Sequence, residues 1–178
     1  GPGIGDQACG ETGPGRMLEP NELVTLSANL FDTGLLDGLR VVITAGPTWE
    51  AIDPVRLLTN RSSGKMGYAL AEAAAEAGAR VTLISGPTAL MPPERVTTLG
   101  VVSAQDMYEA VQAHLQDTQI FIGVAAVADY RVQEVARDKI KKSADTLTLT
   151  LVRNPDILAS VTASSPAPYT VGFAAETS

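Results

Sequence analysis

A chain of 178 residues with 45% hydrophobic residues, one cysteine and a net charge of −7 is long enough for one domain with a core and an appendage. The acidic balance excludes general nucleic-acid binding, which needs a broad basic surface. No apolar run is long enough for a membrane span, and Cys9 alone excludes an intramolecular disulfide framework. With no signal-peptide pattern, a cytoplasmic protein is expected, although Gly1-Pro2 reads as a cut end.

Residues 1–19 are crowded with glycine and proline and read as a flap or tail. A short helix follows from Pro20, with Leu23, Leu26 and Leu30 at helical spacing. Asp37-Gly38 is a turn and the expected boundary. Arg40 to Ala45 is a β-branched strand suited to a buried parallel sheet. A long irregular segment then leads to Asn60-Arg61-Ser62-Ser63-Gly64-Lys65-Met66-Gly67. Met66 to Ala77 is a helix with Met66, Ala69, Leu70, Ala73 and Ala77 on its inner face, ended by Gly78.

Arg80 to Ser85 is the second strand and residues 95–102 a weaker third. Ser103 and Asp106 are spaced as a capping box for a helix reaching about Gln116, with Met107, Val111 and Leu115 inward. Gln119 to Ala128 is an apolar, central fourth strand. Residues 129–145 form an irregular excursion, and Thr146 to Val152 alternates as a half-wet strand. Asn154-Pro155-Asp156 starts a helix with Asn154 as cap, and Tyr169 to Ala174 is a fifth core strand. No internal repeat is visible. Strands alternating with helices give an α/β, Rossmann-like, doubly wound and mainly parallel sheet. Ligands of such sheets sit beyond the carboxyl ends of the strands, where the loops begin at Gly46, Gly86, Asp129 and Glu176.

Lys65 occupies the first turn of a helix, where the macrodipole disfavours a cation. An anion held by the free backbone N–H groups makes that placement reasonable. The other three lysines, Lys139, Lys141 and Lys142, form one group, either a local anion site or a solvated charge cluster. Ser62-x-Gly64-x-x-Gly67 is a poor dinucleotide fingerprint. About sixteen residues separate it from Ala45, and Ser85-Gly86 offers no acid for a ribose. Thr59 and Met66 break the Walker A pattern. Spacing alone supports an anion-binding helix start, or a glycine-rich loop that only permits close packing.

The blocks ITAGPTWEAIDPVRLLTNRSSGKMGYALAEAA, GVAAVADY, DKIKK, NPDIL and VGFAAET resemble the phosphopantothenoylcysteine synthetase (phosphopantothenate–cysteine ligase) domain of bacterial coenzyme A biosynthesis. The resemblance covers residues 39–178. The segment ACGETGPGRMLEP resembles the end of the phosphopantothenoylcysteine decarboxylase domain that is usually fused upstream. Residues 1–38 are thus expected to be a decarboxylase tail with a linker helix, and 39–178 a ligase domain incomplete at its C-terminal end. The resemblance implies that CTP, with Mg²⁺, activates the carboxylate of 4′-phosphopantothenate as an acyl-cytidylate with loss of pyrophosphate. The amine of cysteine then gives the amide and CMP. It also implies a homodimer through the ligase domain, no nucleic-acid or membrane partner, and FMN only in the absent decarboxylase domain.

By the same resemblance Asn60 contacts the acyl-cytidylate and Lys139 neutralises the triphosphate, making these the catalytic candidates. Gly46, Ser62, Ser63, Gly64, Ala125, Ala126, Asp129, Lys142, Asn154, Asp156 and Phe173 join Lys139 as nucleotide-binding candidates, with Lys141 and Lys142 more peripheral than Lys139. Backbone at Ala125 and Ala126 would read the cytosine. Arg56 and Arg61 join Asn60 at the substrate. Asp129 and Asp156 are candidates for a metal held through phosphates; helix capping is the plainer reading of Asn154 and Asp156. Cys9 matches a decarboxylase proton donor and is expected to be idle here. His114, late on a helix, is read as structural. The rivals are a nicotinamide oxidoreductase of Rossmann type and a catalytically inactive dimerising fragment.

Overall fold

The computed structural model describes residues 3–6, 12–16, 18–31, 34–142 and 145–174. Cys9 and Glu176 lie outside the described residues. The turn-rich start contains a two-stranded antiparallel hairpin, β1 (Gly3–Asp6) with β2 (Thr12–Arg16), followed by helix α1 (Pro20–Phe31).

Strand β3 (Arg40–Ala45) is buried from Val41 onward, as expected for a β-branched run between two neighbours. The next segment is not irregular. It is an antiparallel hairpin of β4 (Trp49–Asp53) and β5 (Arg56–Thr59), with a register irregularity between Ala51 and Asp53. Polar composition hid it, because only one of its faces is covered. Helix α2 (Lys65–Glu76) buries Gly67, Ala71, Ala74 and Ala75. This corrects the expected inner face by about one position, and Met66 is 50% exposed. The cause is Gly67: a Cβ there would lie 2.5 Å from the Cβ of Ala45. The helix approaches β3 along its glycine, so the larger Met66 turns outward.

Strand β6 (Arg80–Ser85) matches its expected bounds, and β7 (Thr97–Gly100) is the short third strand. Helix α3 (Ala104–His114) starts at a full capping box between Ser103 and Asp106 and buries Met107 and Val111; Leu115 is buried in the 3₁₀ turn that follows. The fourth strand is shorter than its apolar run: β8 covers Ile120–Gly123, and residues 124–129 leave the ladder. Within the supposed excursion, β9 (Tyr130–Val132) pairs antiparallel with β10 (Leu151–Arg153). Of the alternating run, only its end pairs. The cap of α4 (Ile157–Thr162) is Asp156, whose side chain accepts from Ala159 N. Asn154 does not cap, because its side chain is engaged elsewhere. Strand β11 (Tyr169–Gly172) closes the described chain.

The five-stranded sheet has the order β11-β8-β3-β6-β7 with every pair parallel. The chain runs outward from β3 to β7 and then returns to β8 beside β3. The order therefore reverses between β3 and β8, which places the switch-point crevice there. One apolar cluster packs α2 on one face of the sheet, and a second packs α3 and α4 on the other. The architecture is the Rossmann-like doubly wound fold.

Candidate functional site

The crevice is stitched from three loops. Gly46 turns the chain after β3 with φ 75°, a backbone state that glycine enters without steric cost. Thr44 Oγ1 accepts from the amides of Val124 and Ala125 at 3.2 and 3.3 Å. The Ala126 amide donates to Gly46 O at 2.9 Å, and the Ala128 amide to Thr48 Oγ1 at 2.9 Å. Because β8 stops early, residues 124–128 bond to this loop in place of a strand. Asn60 completes the join: its Nδ2 donates to Ala126 O at 2.9 Å. Thr59 Oγ1 donates to Thr48 O at 2.8 Å, fixing the root of the Asn60 loop.

Gly64 caps α2 with φ 76° and no side-chain cap. Ser62 Oγ accepts from the Gly64 amide at 3.3 Å. A Cβ at Gly64 would sit 3.4 Å from Gly46 and 2.8 Å from Thr88 Cγ2, so the two glycines meet. Gly46, Asn60, Ser62, Gly64, Ala125 and Ala126 thus converge, and α2 begins beside them without a side chain on its first amides. Ser63 and Arg61 are exposed on the same loop. Lys65 is exposed on α2 and borders a separate groove with Tyr68, Glu72 and Met91.

Asn154 holds the loop after β8. Its Nδ2 donates to Ala128 O at 2.8 Å and its amide to Asp129 O at 2.8 Å, while its Oδ1 accepts from Arg131 at 3.0 Å. Asp129 is exposed. Asp156 is engaged as the α4 cap. The Phe173 amide donates to Gly123 O at 2.9 Å, and the residue is 47% exposed. His114 Nδ1 donates to Ala110 O at 2.8 Å within its own helix.

Arg56, Lys139, Lys141 and Lys142 line a separate open groove of about 640 Å³, together with Val55, Ile140 and Leu147. Arg56 pairs with Asp53 at 2.6 Å and donates to Ile140 O at 2.6 Å. Burial raises the Asp53 carboxyl, but the Val55, Ile140 and Arg56 amides and the Arg56 side chain outweigh it and hold the group at about 2. Sequence reading passed over Thr44, Thr48 and Asp53. Their signal was polar residues continuing a buried strand into a turn, and an Asp three residues before an Arg.

Among the described residues no group of three or more His, Cys, Asp or Glu could hold a metal ion. Asp129 and Asp156 do not form one, since Asp156 serves its helix. Among the described residues the side chains therefore offer no dedicated protein cage for Mg²⁺, an ion usually held through one or two carboxylates and substrate phosphates.

Residues 36–178 match the family model described as the DNA/pantothenate metabolism flavoprotein C-terminal domain. The chain belongs to that family. It is 59% identical over 180 residues to the coenzyme A biosynthesis bifunctional protein CoaBC of Vibrio cholerae, covering 99% of this chain and 45% of the relative. The corresponding protein of Escherichia coli is 53% identical over 182 residues, with the same coverage. The chain thus spans about 45% of the length of these curated relatives. A crystal structure of the C-terminal domain of a CoaBC protein superposes with a TM-score of 0.71 at 51% identity, over 80% of this chain and 67% of that one. The DNA/pantothenate metabolism flavoprotein of Streptococcus pneumoniae gives 0.66 at 26% identity, over 75% and 68%.

Membership in this family corrects the expectation that the chain belongs to a ligase-domain family. The matching family is described by a flavoprotein and the relatives by a bifunctional protein as a whole; neither description names a ligase. The physical reason is that the resembling blocks build turns and crevice loops, Gly46 and Gly64 among them, and a shared scaffold does not by itself fix the reaction.

Proposed function

We propose that this chain serves coenzyme A biosynthesis in the cytoplasm by binding CTP in the β3–β8 crevice and supporting CTP-dependent ligation of 4′-phosphopantothenate to cysteine through an acyl-cytidylate. The reading rests on one observation: Asn60 Nδ2 bonds to Ala126 O across the switch point, so the candidate catalytic amide touches the candidate base-reading loop. A carboxylate is a poor acyl donor because its oxide leaves badly, and nucleotidylation supplies a better leaving group. Asn60 suits such a reaction because a neutral amide bonds both carbonyl and phosphate without taking up a proton. The first amides of α2, which no side chain caps, would meet phosphate oxygens beside the Ser62–Gly64 turn. The Ala125 and Ala126 backbone, held by Thr44 and Gly46, would tell cytosine from uracil by the exocyclic amine. A triphosphate reaching from the crevice to the groove at Arg56 would meet Lys139 and its neighbours, which would offset its charge. Any Mg²⁺ would come with the nucleotide, and no step here depends on it. A homodimer belongs to this proposal.

A second reading follows from the family description, which names a flavoprotein: the chain takes part in flavin chemistry. One experiment separates the two. The chain is mixed with CTP, Mg²⁺ and 4′-phosphopantothenate, pyrophosphate is measured with and without cysteine, and FMN binding is followed by visible absorbance. Pyrophosphate release that Asn60→Asp uncouples from amide formation supports the ligation. FMN binding without pyrophosphate release supports the flavin reading and overturns ours. Stabilisation by NAD and not by CTP would favour an oxidoreductase.

A further inference from the structure

The β4–β5 hairpin carries a buried carboxylate that the crevice does not use. The Asp53 side chain is 0% exposed. Its Oδ1 accepts from the Val55 and Arg56 amides at 2.9 Å, contacts local to the hairpin turn. Its Oδ2 reaches much farther along the chain. It accepts from Arg56 Nε at 2.9 Å and from the Ile140 amide at 3.1 Å. The Arg56 guanidinium then donates to Ile140 O at 2.6 Å. One ion pair therefore holds both ends of residue 140, the N–H on the acid and the carbonyl on the base. Such charge-assisted bonds are stronger than neutral ones.

The residues on either side of that peptide are Lys139 and Lys141, with Lys142 next, all exposed around the groove. Three like charges in four residues repel one another and favour an open loop. We propose that Asp53 is a positioning residue: with Arg56 it clamps the Ile140 peptide and presents Lys139, Lys141 and Lys142 as a preformed polyphosphate-binding surface. This rests on the nucleotide reading above and adds how the lysines are held. The clamp grips backbone, so the ammonium groups stay free to find their ligand while the loop is already ordered. Less ordering entropy is then lost on binding. Arg56 becomes a brace first, with its Nε and one terminal nitrogen engaged.

The test compares the parent chain with Asp53→Asn, Lys139→Gln and the double variant. Inorganic tripolyphosphate binding is measured by calorimetry at two salt concentrations, and hydrogen exchange is measured at the Ile140 amide. Asp53→Asn is expected to weaken tripolyphosphate about 10-fold, the scale of one charge-assisted bond, and to flatten the salt dependence. Ile140 exchange should rise while β3 amides stay protected. Residues that act through one another are non-additive, so the double variant should bind only slightly worse than the weaker single variant. Fully additive losses, unchanged Ile140 protection, or no tripolyphosphate binding by the parent would each overturn the clamp. If Asp53→Asn does not fold, Arg56→Lys replaces it. It keeps the charge but loses the planar fork, and the same non-additivity is expected. A parent that shows this coupling yet releases no pyrophosphate from CTP keeps the clamp and loses the proposed reaction.

Discussion

Thr48 shows how much of the site hangs on single hydroxyls. It is fully buried, and its Oγ1 accepts from the Ala128 amide while its carbonyl accepts from Thr59. It thereby ties the loop after β3 to both the loop after β8 and the root of the Asn60 loop. Thr48→Val keeps the shape and strands the Ala128 amide, which costs about 1–3 kcal/mol for an unsatisfied buried donor. Thermal denaturation should show a loss of about 2–4 °C for each kcal/mol in a chain of this size. Thr48→Ser, which keeps the oxygen, should lose less. Equal losses in the two variants would assign Thr48 to packing alone.

At the scale of the element, α2 is set by a contact between two small residues. A Cβ on Gly67 would lie 2.5 Å from Ala45 Cβ and 3.1 Å from Ala45 Cα, and Ala45 is fully buried in β3. In an exposed helix Gly→Ala would gain up to about 1 kcal/mol. Here overpacking opposes it with about 1–3 kcal/mol, and overpacking wins because a central strand cannot give way. Gly67→Ala should lower the melting temperature and, by pushing the start of α2 off the crevice, weaken CTP; an unchanged CTP affinity would separate the helix start from the site. The same contact explains what could be read in advance. β3, β6 and the α3 capping box were legible because hydrophobic period and cap chemistry are local. The inner face of α2 was misjudged because Met66 outranks Gly67 in apolarity, although packing distance decides. The β4–β5 hairpin and the early end of β8 were hidden because both depend on partners far along the chain: Asp53 on Ile140, and Ala126 on Gly46. Asn60, Gly64 and Ala126 are candidates by resemblance, whereas Thr44 and Thr48 carry only the weak signal of polar residues continuing a buried strand into a turn.

For the molecule as a whole, the acidic balance of −7 makes the fate of its carboxylates in acid informative. No helix among the described residues is long and apolar enough to cross a membrane. Two aspartates have depressed pKa values, Asp106 within the cap of α3 and Asp53 across a long-range contact. Asp106 is lowered chiefly by the Ser103 amide, against burial, and with further help from the Ser103 hydroxyl and the Val102 amide. Asp53 is held at about 2 from an ordinary 3.8 and links the hairpin to the lysine loop. A depressed folded pKa means that the unfolded chain binds more protons between the two values, so stability rises with pH there. The Asp53 contribution is thus complete above 3.8 and is lost as pH falls through about 2. Urea midpoints measured across this window should fall more steeply for the parent than for Asp53→Asn, which has no proton to gain at that position. The difference between the two curves should be flat above pH 3.8 and should close toward pH 2. A difference that widened on acidification would mean that the Asp53 carboxylate is not the partner holding Arg56 and Ile140. In that case hydrogen exchange at Ile140 should stay slow in acid, whereas release of the clamp predicts that this amide exchanges faster before the β3 amides do.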